Sequence, residues 1–354
     1  MGNGHLAKAM NEEISLLGET ARRVFSACGE GDVGECHAQL AEGGLTAVMA
    51  DAGRGGFGGS WCHAFPILFA AGEHAICYPI SEAVLAASLL SAAGIAMPPG
   101  VVSLAPRADG TATPCGENHL TFSGRLSNVA FGAEAGAIVT LIKLDGEAHV
   151  ACLLREGACR IEKERSSIAG EPRADLVFEG ARVAAVKTGW TTENLLRAMA
   201  LARACQIAGA ISAALALSVE HTRAREQFGR PLAGFQAIQQ QLAVLAEEAS
   251  AARAAAAAAC RAADRGEASF EIAAAKMRAN QAAGVAASIA HQVHGAIGFT
   301  REYALQKFTR RLWAWRSDYG NERKWAMDIG LRAARAGADG FWPALVSGFA
   351  GPAT

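Results

Sequence analysis

The chain has 354 residues, of which 51% are apolar and 19% are charged. This length exceeds what one hydrophobic core usually organises, so we expect more than one domain. Lys and Arg together number 33, against 34 for Asp and Glu. This balance argues against the broad positive field on which nucleic-acid and anionic-membrane binders depend, although a local basic patch for a phosphorylated ligand stays compatible with it.

Nine cysteines are scattered along the chain without CxxC pairs or the His/Cys spacing of a metal site. Most stand among apolar or small residues, which is typical of buried thiols in a reducing compartment rather than of a disulfide framework. Residues 1–19 lack the basic and apolar regions of a signal peptide, and the alanine-rich run 251–259 is too short to cross a bilayer. We therefore expect a cytoplasmic protein with no metal, no nucleic-acid partner and no membrane insertion.

The first compositional zone, residues 1–97, has helical periodicity. Its predicted helices cover residues 7–28, 34–42, 64–72 and 80–93. A glycine-rich stretch, residues 52–60, separates them. Because this stretch does not stand between a strand and a helix, it predicts a flexible loop rather than a phosphate cradle. The zone is interpreted as an N-terminal helical domain.

The second zone, residues 98–187, changes to short strands. Its predicted strands cover residues 101–105, 119–122, 137–143, 149–154, 159–163 and 175–183. Asp145 and Gly146 form the clearest two-residue hairpin turn. Several strands alternate apolar with polar residues, so the zone predicts a small antiparallel sheet or barrel.

The third zone, residues 188–354, is helical over long stretches. The predicted helices run from Thr191 or Thr192 to about Arg225, over residues 235–265 and 270–293, and, either continuous or broken, from the turn at residues 295–298 past Trp325. Four long helices with short connections indicate an up-and-down bundle. Their alanine content predicts close helix approach and oligomerisation. The fold class is therefore α+β, mostly α: a helical domain, a small antiparallel β-domain and a four-helix bundle.

Two stretches of the predicted bundle resemble signatures of the acyl-CoA dehydrogenase family. Residues 223–232 (RAREQFGRPL), followed by residues 235–239 (FQAIQ), resemble the first signature, and residues 291–300 (HQVHGAIGFT) resemble the second. Weaker resemblance extends through residues 178–183 and back to residues 78–82, so nearly the whole chain is covered. The family has the same order of helical domain, β-domain and four-helix bundle, and members bind FAD.

The resemblance implies a cofactor site at the first signature. A dinucleotide carries a pyrophosphate, which an arginine at a helix end can bind through bidentate, charge-assisted hydrogen bonds. The arginine that Arg225 matches binds the FAD of a neighbouring subunit. Phe228 is expected to pack against the adenine or, alternatively, in an apolar core. Gln236 matches a glutamine that hydrogen-bonds the cofactor.

The second signature implies further cofactor contacts. Small residues at 295–298 fall where one predicted helix stops and another begins, so the backbone can approach a phosphate there. Ala296 stands where the family commonly has a second glycine. By resemblance, Gln292, Gly295, Ala296 and Asn321 complete the candidate cofactor-binding set.

The reaction that the resemblance implies is α,β-dehydrogenation of an acyl-CoA thioester. A carboxylate base removes the α-proton while the β-hydrogen leaves as hydride to the flavin N5. Such a base belongs in a dry slot, where desolvation raises its pKa toward that of the activated α-carbon. Electron-transfer flavoprotein is the implied electron acceptor.

The expected base is absent from its usual position. Aligning Arg310 with the family's arginine puts Gly320 on the family glycine and Tyr319 where a glutamate is expected. A phenol, with a pKa of about 10, is a poor substitute. Asp318 or Glu322 could deliver the carboxylate instead, and we take these two as the catalytic candidates.

Two further alternatives stay open for the base. Some family members place it on the first bundle helix, where this chain has Arg197 and Met199, with Glu193 one turn earlier. Alternatively, the chain is a non-catalytic or cofactor-sharing subunit, as in heteromeric dehydrogenases of steroid side chains. Either a homo-oligomer or a heterotetramer with a related subunit is compatible with the sequence.

The β-domain also departs from the family pattern. The family has a Thr-Glu-Pro-Gly-Ser-Asp-like loop that contacts the flavin ring, whereas residues 103–110 here retain only Pro106. Ser166 and Ser167 could replace a flavin-contacting residue, although serine pairs are common turn formers. The shortened domain suggests a bulky or branched acyl group.

Overall fold

The computed structural model describes residues 2–28 and 33–347. Its internal contacts divide the chain into two compact units. The first contains residues up to 67 and residues 76–199, and the second contains residues 68–75 and the chain from 200 onward. The predicted borders at 97 and 187 fall where the secondary structure changes from helix to strand and from strand to helix.

Four helices precede the sheet, as predicted. They are α1 Gly2–Cys28, α2 Val33–Glu42, α3 Trp61–Glu73 and α4 Ile80–Ala93. Helix α4 has the bounds that the sequence predicts, and it ends at Gly94, whose positive φ of 69° reverses the chain. Ten of its fourteen side chains are buried, which explains why it shows no polar face.

The glycine-rich stretch is a closely packed loop rather than a loosely held one. It contains one short 3₁₀ turn, Ala52–Arg54. A Cβ on Gly56 would lie 2.2 Å from the carbonyl oxygen of Ala50, closer than any real contact, so a larger residue does not fit. The backbone N–H groups of Gly58 and Gly59 donate to carbonyls of the preceding segment. The glycines thus permit close backbone approach.

The sheet has seven strands in the order β1-β4-β5-β7-β3-β2, with β6 also paired to β7. Its strands are β1 Val102–Leu104, β2 Asp109–Gly116, β3 His119–Ala130, β4 Ala137–Leu144, β5 Glu147–Leu154, β6 Cys159–Ser166 and β7 Pro172–Lys187. All pairs are antiparallel except β1 with β4. Asp145 and Gly146, both at positive φ, join β4 to β5 as predicted.

Strand β2 is the one strand of this seven-stranded sheet that the sequence does not predict. Its eight residues are small or polar, include Pro114, and are almost all exposed. It therefore lacks the apolar alternation by which the other strands are recognised, and only its pairing with β3 defines it.

The C-terminal helices are α5 Thr192–Ala224, α6 Gln236–Arg265, α7 Ser269–His294, α8 Leu305–Trp315 and α9 Glu322–Ser347. The Thr191 hydroxyl accepts a hydrogen bond from the Asn194 N–H at 3.1 Å, so Thr191 caps α5. Helix α5 is long and apolar enough to cross a membrane by composition, but its most apolar window is 72% buried within the protein. A core helix has the same composition, so this feature is no indication of membrane insertion.

The predicted fourth helix is two helices, and the break has a local cause. Tyr319 and Gly320 adopt positive φ values of 58° and 113° between α8 and α9. The Asn321 side chain then accepts a hydrogen bond from the Lys324 N–H at 3.1 Å and caps α9.

Two glycines allow the end of α3 to cross α5 at backbone contact. A Cβ on Gly72 would lie 2.0 Å from the Gln206 carbonyl oxygen, and one on Gly209 would lie 1.9 Å from the Phe69 carbonyl oxygen. All four residues belong to the second unit. Together with the buried alanines of α6 and α7, this crossing shows the close helix approach that the composition predicts.

Candidate functional site

The first signature forms an exposed hairpin between α5 and α6. Strands β8 Glu226–Gln227 and β9 Arg230–Pro231 pair with each other, and Phe228 and Gly229 make the turn at φ values of 53° and 77°. A non-glycine residue in this conformation is uncommon and costs about 1–3 kcal/mol. The surrounding structure therefore holds the backbone of Phe228 in an energetically unfavourable conformation.

Phe228 projects into solvent, with 89% of its surface exposed. The alternative that it packs in an apolar core is therefore wrong. Its ring lies edge-on to Phe235 at 6.1 Å between centroids, and the guanidinium of Arg230 covers the Phe235 ring at 4.1 Å. Arg225 and Gln236 are likewise exposed, at the end of α5 and the start of α6. A large exposed aromatic beside a cation and an amide suits contact with a ligand or second subunit.

The second signature follows the end of α7. Gly295 has a φ of 64° and starts a five-residue 3₁₀ turn, Gly295–Phe299. Gln292, Gly295 and Ala296 are exposed, whereas Gly298 is buried. The predicted start of a long helix directly after this turn is wrong: the chain becomes extended at Thr300, and α8 begins only at Leu305.

The two signatures meet at one end of the bundle. The His221 ring, one turn before Arg225, stacks on His294 at 4.5 Å between centroids. The His294 Nε2 is 3.1 Å from the Tyr303 hydroxyl. Burial lowers the pKa of His221, and the nearby charge of Arg225 lowers it further. The sequence does not predict this histidine pair. The two rings meet where the end of α5 lies beside the end of α7.

Tyr319, at the position expected for the base, packs into a core cluster. Its ring lies against the cluster formed by Ala200, Ala273 and Trp325. The guanidinium of Arg203 stands 5.5 Å from the centre of the same ring. Tyr319 is therefore placed as a packing residue with a cation above its face.

The two candidate catalytic carboxylates are both paired with arginines. An Asp318 oxygen is 3.4 Å from the Arg203 guanidinium, and the side chains of these two residues are 16% and 4% exposed. One oxygen of Glu322 lies 2.7 Å from both Nε and Nη2 of Arg316. One oxygen of each carboxylate is therefore held by a cation, and breaking the Asp318 pair would be costly because Arg203 is buried.

Lys276, on α7, fixes the turn that carries Tyr319. It is fully buried, and its Nζ donates to the Asn280 side chain at 2.6 Å and to the Trp315 carbonyl at 3.0 Å. The carbonyl of Gly320 is a further acceptor at 3.3 Å. Burial lowers the pKa of Lys276 to about 7. Sequence reasoning missed this residue, although a single lysine within the alanine-rich face of α7 could have indicated it.

The first bundle helix supplies no buried carboxylate at the alternative position. Met199 is buried there, and Glu193 is 70% exposed and paired with Arg197 at 2.6 Å. Arg197, the other residue nearest to the alternative position, is a cation, so neither position supplies a carboxylate.

The β-domain residues that were candidates for ring contacts have structural roles. Ser103 is buried in β1 and donates to the Ala130 carbonyl at 2.5 Å. Ser167 accepts hydrogen bonds from the backbone of Ala169 and Glu171, both at 3.2 Å. Ser167 is therefore a turn former.

The C-terminal half matches a known family. Residues 188–321 match the family described as acyl-CoA dehydrogenase, C-terminal domain. Over 156 residues the chain is 33% identical to acryloyl-CoA reductase (NADH) of Anaerotignum propionicum, covering 42% of this chain and 40% of that protein. Over 193 residues it is 28% identical to acyl-CoA dehydrogenase IpdE2 of Mycolicibacterium smegmatis, covering 52% of this chain and 60% of that protein. These matches span less than two thirds of either relative.

Solved structures extend the likeness to the whole fold. The ChsE4-ChsE5 complex from Mycobacterium tuberculosis superposes with a TM-score of 0.80 at 20% identity, over 91% of this chain and 97% of that one. At this identity the match concerns the fold, which comprises the helices, the small sheet and the bundle in the predicted order. Residues 188–321 therefore belong to the acyl-CoA dehydrogenase C-terminal domain family, and the chain as a whole shares the fold of these solved structures.

Proposed function

We propose that this chain is an FAD-binding subunit of an acyl-CoA dehydrogenase, and that α,β-dehydrogenation of the thioester requires a related second subunit. The observation that carries the proposal is a contrast within the second unit. The cofactor signatures are exposed and lie together, whereas both carboxylates near the base position are bound to arginines.

The residues at the signatures fit the adenine and pyrophosphate half of FAD. Arg225 offers an exposed guanidinium, Gln236 and Gln292 offer exposed amides, and Phe228 offers an uncovered aromatic face. This is the chemistry that binds a charged phosphate next to a planar base. Gly295 leaves open space beside its backbone. Bound FAD would supply the hydride acceptor for the β-carbon of the acyl thioester.

Asn321 contributes differently from the other candidates. Its side-chain oxygen already accepts a hydrogen bond from the Lys324 N–H, which leaves its amide N–H groups and a second lone pair for a ligand. We therefore assign it first to capping α9.

The chain's own residues do not provide a ready proton acceptor for the α-carbon. Tyr319 packs into the core cluster, and Asp318 and Glu322 neutralise Arg203 and Arg316. A carboxylate from a related subunit would complete the reaction, and the likeness to a two-component complex supports such pairing. Electron-transfer flavoprotein remains the proposed acceptor, and the cytoplasm the proposed compartment.

A visible spectrum of the purified protein tests this proposal. The chain alone and the chain co-purified with a glutamate-bearing family member would each be mixed anaerobically with a set of acyl-CoA thioesters. We expect the flavin to stay oxidised with the chain alone and to bleach in the two-subunit assembly. Bleaching by the chain alone would favour the self-sufficient dehydrogenase instead.

A further inference from the structure

Two cysteines of the first unit lie in direct contact. Cys28 is the last residue of α1, and Cys36 lies in the first half of α2. Their sulfur atoms are 2.9 Å apart, and both side chains are buried. A disulfide bond is about 2.0 Å long, so the two sulfurs need to approach by less than about 1 Å to bond.

The surroundings of Cys36 disfavour its thiolate. Burial raises the pKa of the Cys36 thiol, and contact with Cys28 and the proximity of Cys77 raise it further. The Cys28 thiol also donates to the Gln39 side chain at 3.4 Å. Among the residues that the structure describes, no group of three or more metal-ligating side chains could hold a metal ion, so metal binding does not explain the pair.

We propose that Cys28 and Cys36 are a modification site: they form a reversible intrachain disulfide that ties the end of α1 to α2. The oxidant would be a peroxide or a small-molecule disulfide. Because the two sulfurs are already 2.9 Å apart, bonding requires little movement of either helix.

The chemistry balances with hydrogen peroxide as the oxidant. One thiolate attacks a peroxide oxygen, breaks the O–O bond and becomes a sulfenic acid, with loss of hydroxide. The second sulfur then attacks the sulfenic sulfur, forms the S–S bond and displaces its oxygen as water. The two thiols lose two electrons and two protons, and the peroxide is reduced to two molecules of water.

The second unit contains a matched control pair. Cys205 on α5 and Cys260 on α6 are also buried, but their sulfurs are 3.7 Å apart. Both stand within the bodies of long helices, so bonding would require packed helices to shift toward each other. We expect this pair to stay reduced under conditions that oxidise Cys28 and Cys36.

Peptide mapping of the full-length protein tests the proposal. The chain would be exposed to graded hydrogen peroxide or oxidised glutathione, and its remaining thiols would be alkylated after denaturation. Trypsin cannot cleave between Arg23 and Arg54, so both cysteines fall in one peptide. We expect that peptide to lose two hydrogen masses and take no alkyl groups, and cleavage after Glu35 should yield two linked fragments. Of nine cysteines, seven (nine minus two) should then alkylate.

Substitutions separate this disulfide from general oxidation. In Cys36→Ala the link must disappear, and in Cys205→Ala it must form as in the unmodified chain. Dithiothreitol should restore nine alkylated cysteines. The proposal is overturned if peptide 24–54 remains fully alkylated when other cysteines have been oxidised. It is also overturned if that peptide links to peptide 55–107, because Cys62 or Cys77 would then be the partner.

Discussion

At the scale of single residues, Lys276, which holds the turn before α9, makes the free energy of unfolding depend on pH. Its pKa is lowered to about 7 by burial, whereas an unfolded lysine has a pKa of about 10.4. Between these values the unfolded chain binds a proton that the native chain does not. The contribution of Lys276 to the free energy of unfolding is therefore complete above about pH 10 and is lost as the pH falls through about 7.

We predict that wild-type stability gains about 1 kcal/mol per pH unit from this residue as the pH rises from 7 toward 10. Urea unfolding of the wild type and of Lys276→Met at several pH values in this window measures it. Lys276→Met loses hydrogen bonds, so only the slopes are compared. Parallel slopes for the two proteins would show that the buried lysine keeps its ordinary pKa.

Tyr319 is expected to act through its ring and not through its hydroxyl. Tyr319→Phe keeps the ring against the core cluster and under Arg203, so its stability should stay within about 0.5 kcal/mol of wild type. Tyr319→Ala removes both contacts and should cost about 1–3 kcal/mol. Chemical unfolding compares the two variants. A Phe variant with normal stability but abolished flavin reduction would instead give the phenol a chemical role.

At the scale of elements, the hairpin that follows α5 should decide whether flavin is retained. Arg225→Ala removes an exposed charge-assisted contact to the pyrophosphate, so we predict FAD affinity about tenfold weaker or worse. Arg223→Ala is the matched control, because Arg223 is also exposed and stands two residues earlier in the same helix end. Flavin content after purification and titration with FAD measure the effect. Equal loss in both variants would remove the specific role of Arg225.

The crossing of α3 with α5 should tolerate no side chain at Gly72 or Gly209. Each Cβ would overlap a carbonyl oxygen, and overpacking of this kind costs about 1–3 kcal/mol or more. Gly330→Ala on α9 is the control, because its Cβ would meet nothing within 4 Å and alanine favours helix by about 0.5–1 kcal/mol. Thermal unfolding followed by circular dichroism compares them, and unchanged midpoints for the first two variants would contradict the close crossing.

At the scale of the whole molecule, the order of elements could be predicted because most of them carry strong periodicity. Helix α4 and the turn at Asp145 have the predicted bounds, and Thr191 is the cap that the sequence indicates. Strand β2 could not be predicted, because it is small, polar and defined by pairing alone. The break before α9 depends on the backbone of Tyr319 and Gly320, which apolar spacing does not show.

The candidate site was predictable only as far as local motifs extend. The exposed hairpin at Phe228 and the turn at Gly295 lie within continuous signatures. The pairing of Asp318 with Arg203 joins residues more than a hundred positions apart, and the stacking of His221 on His294 joins residues more than seventy positions apart. No spacing rule in the sequence indicates such contacts. The pairing of the two carboxylates with arginines is therefore apparent only from the folded structure.

The central claim is that this chain contributes cofactor binding to the assembly but not the catalytic base. Anaerobic rapid mixing of the two-subunit assembly with acyl-CoA, followed by flavin absorbance, measures the rate constant of flavin reduction. We predict that Asp318→Asn and Glu322→Gln in this chain change that rate constant by less than about threefold, whereas loss of a general base costs about 10²–10⁴-fold. A loss of that size from either substitution, with the flavin still bound, would contradict the account.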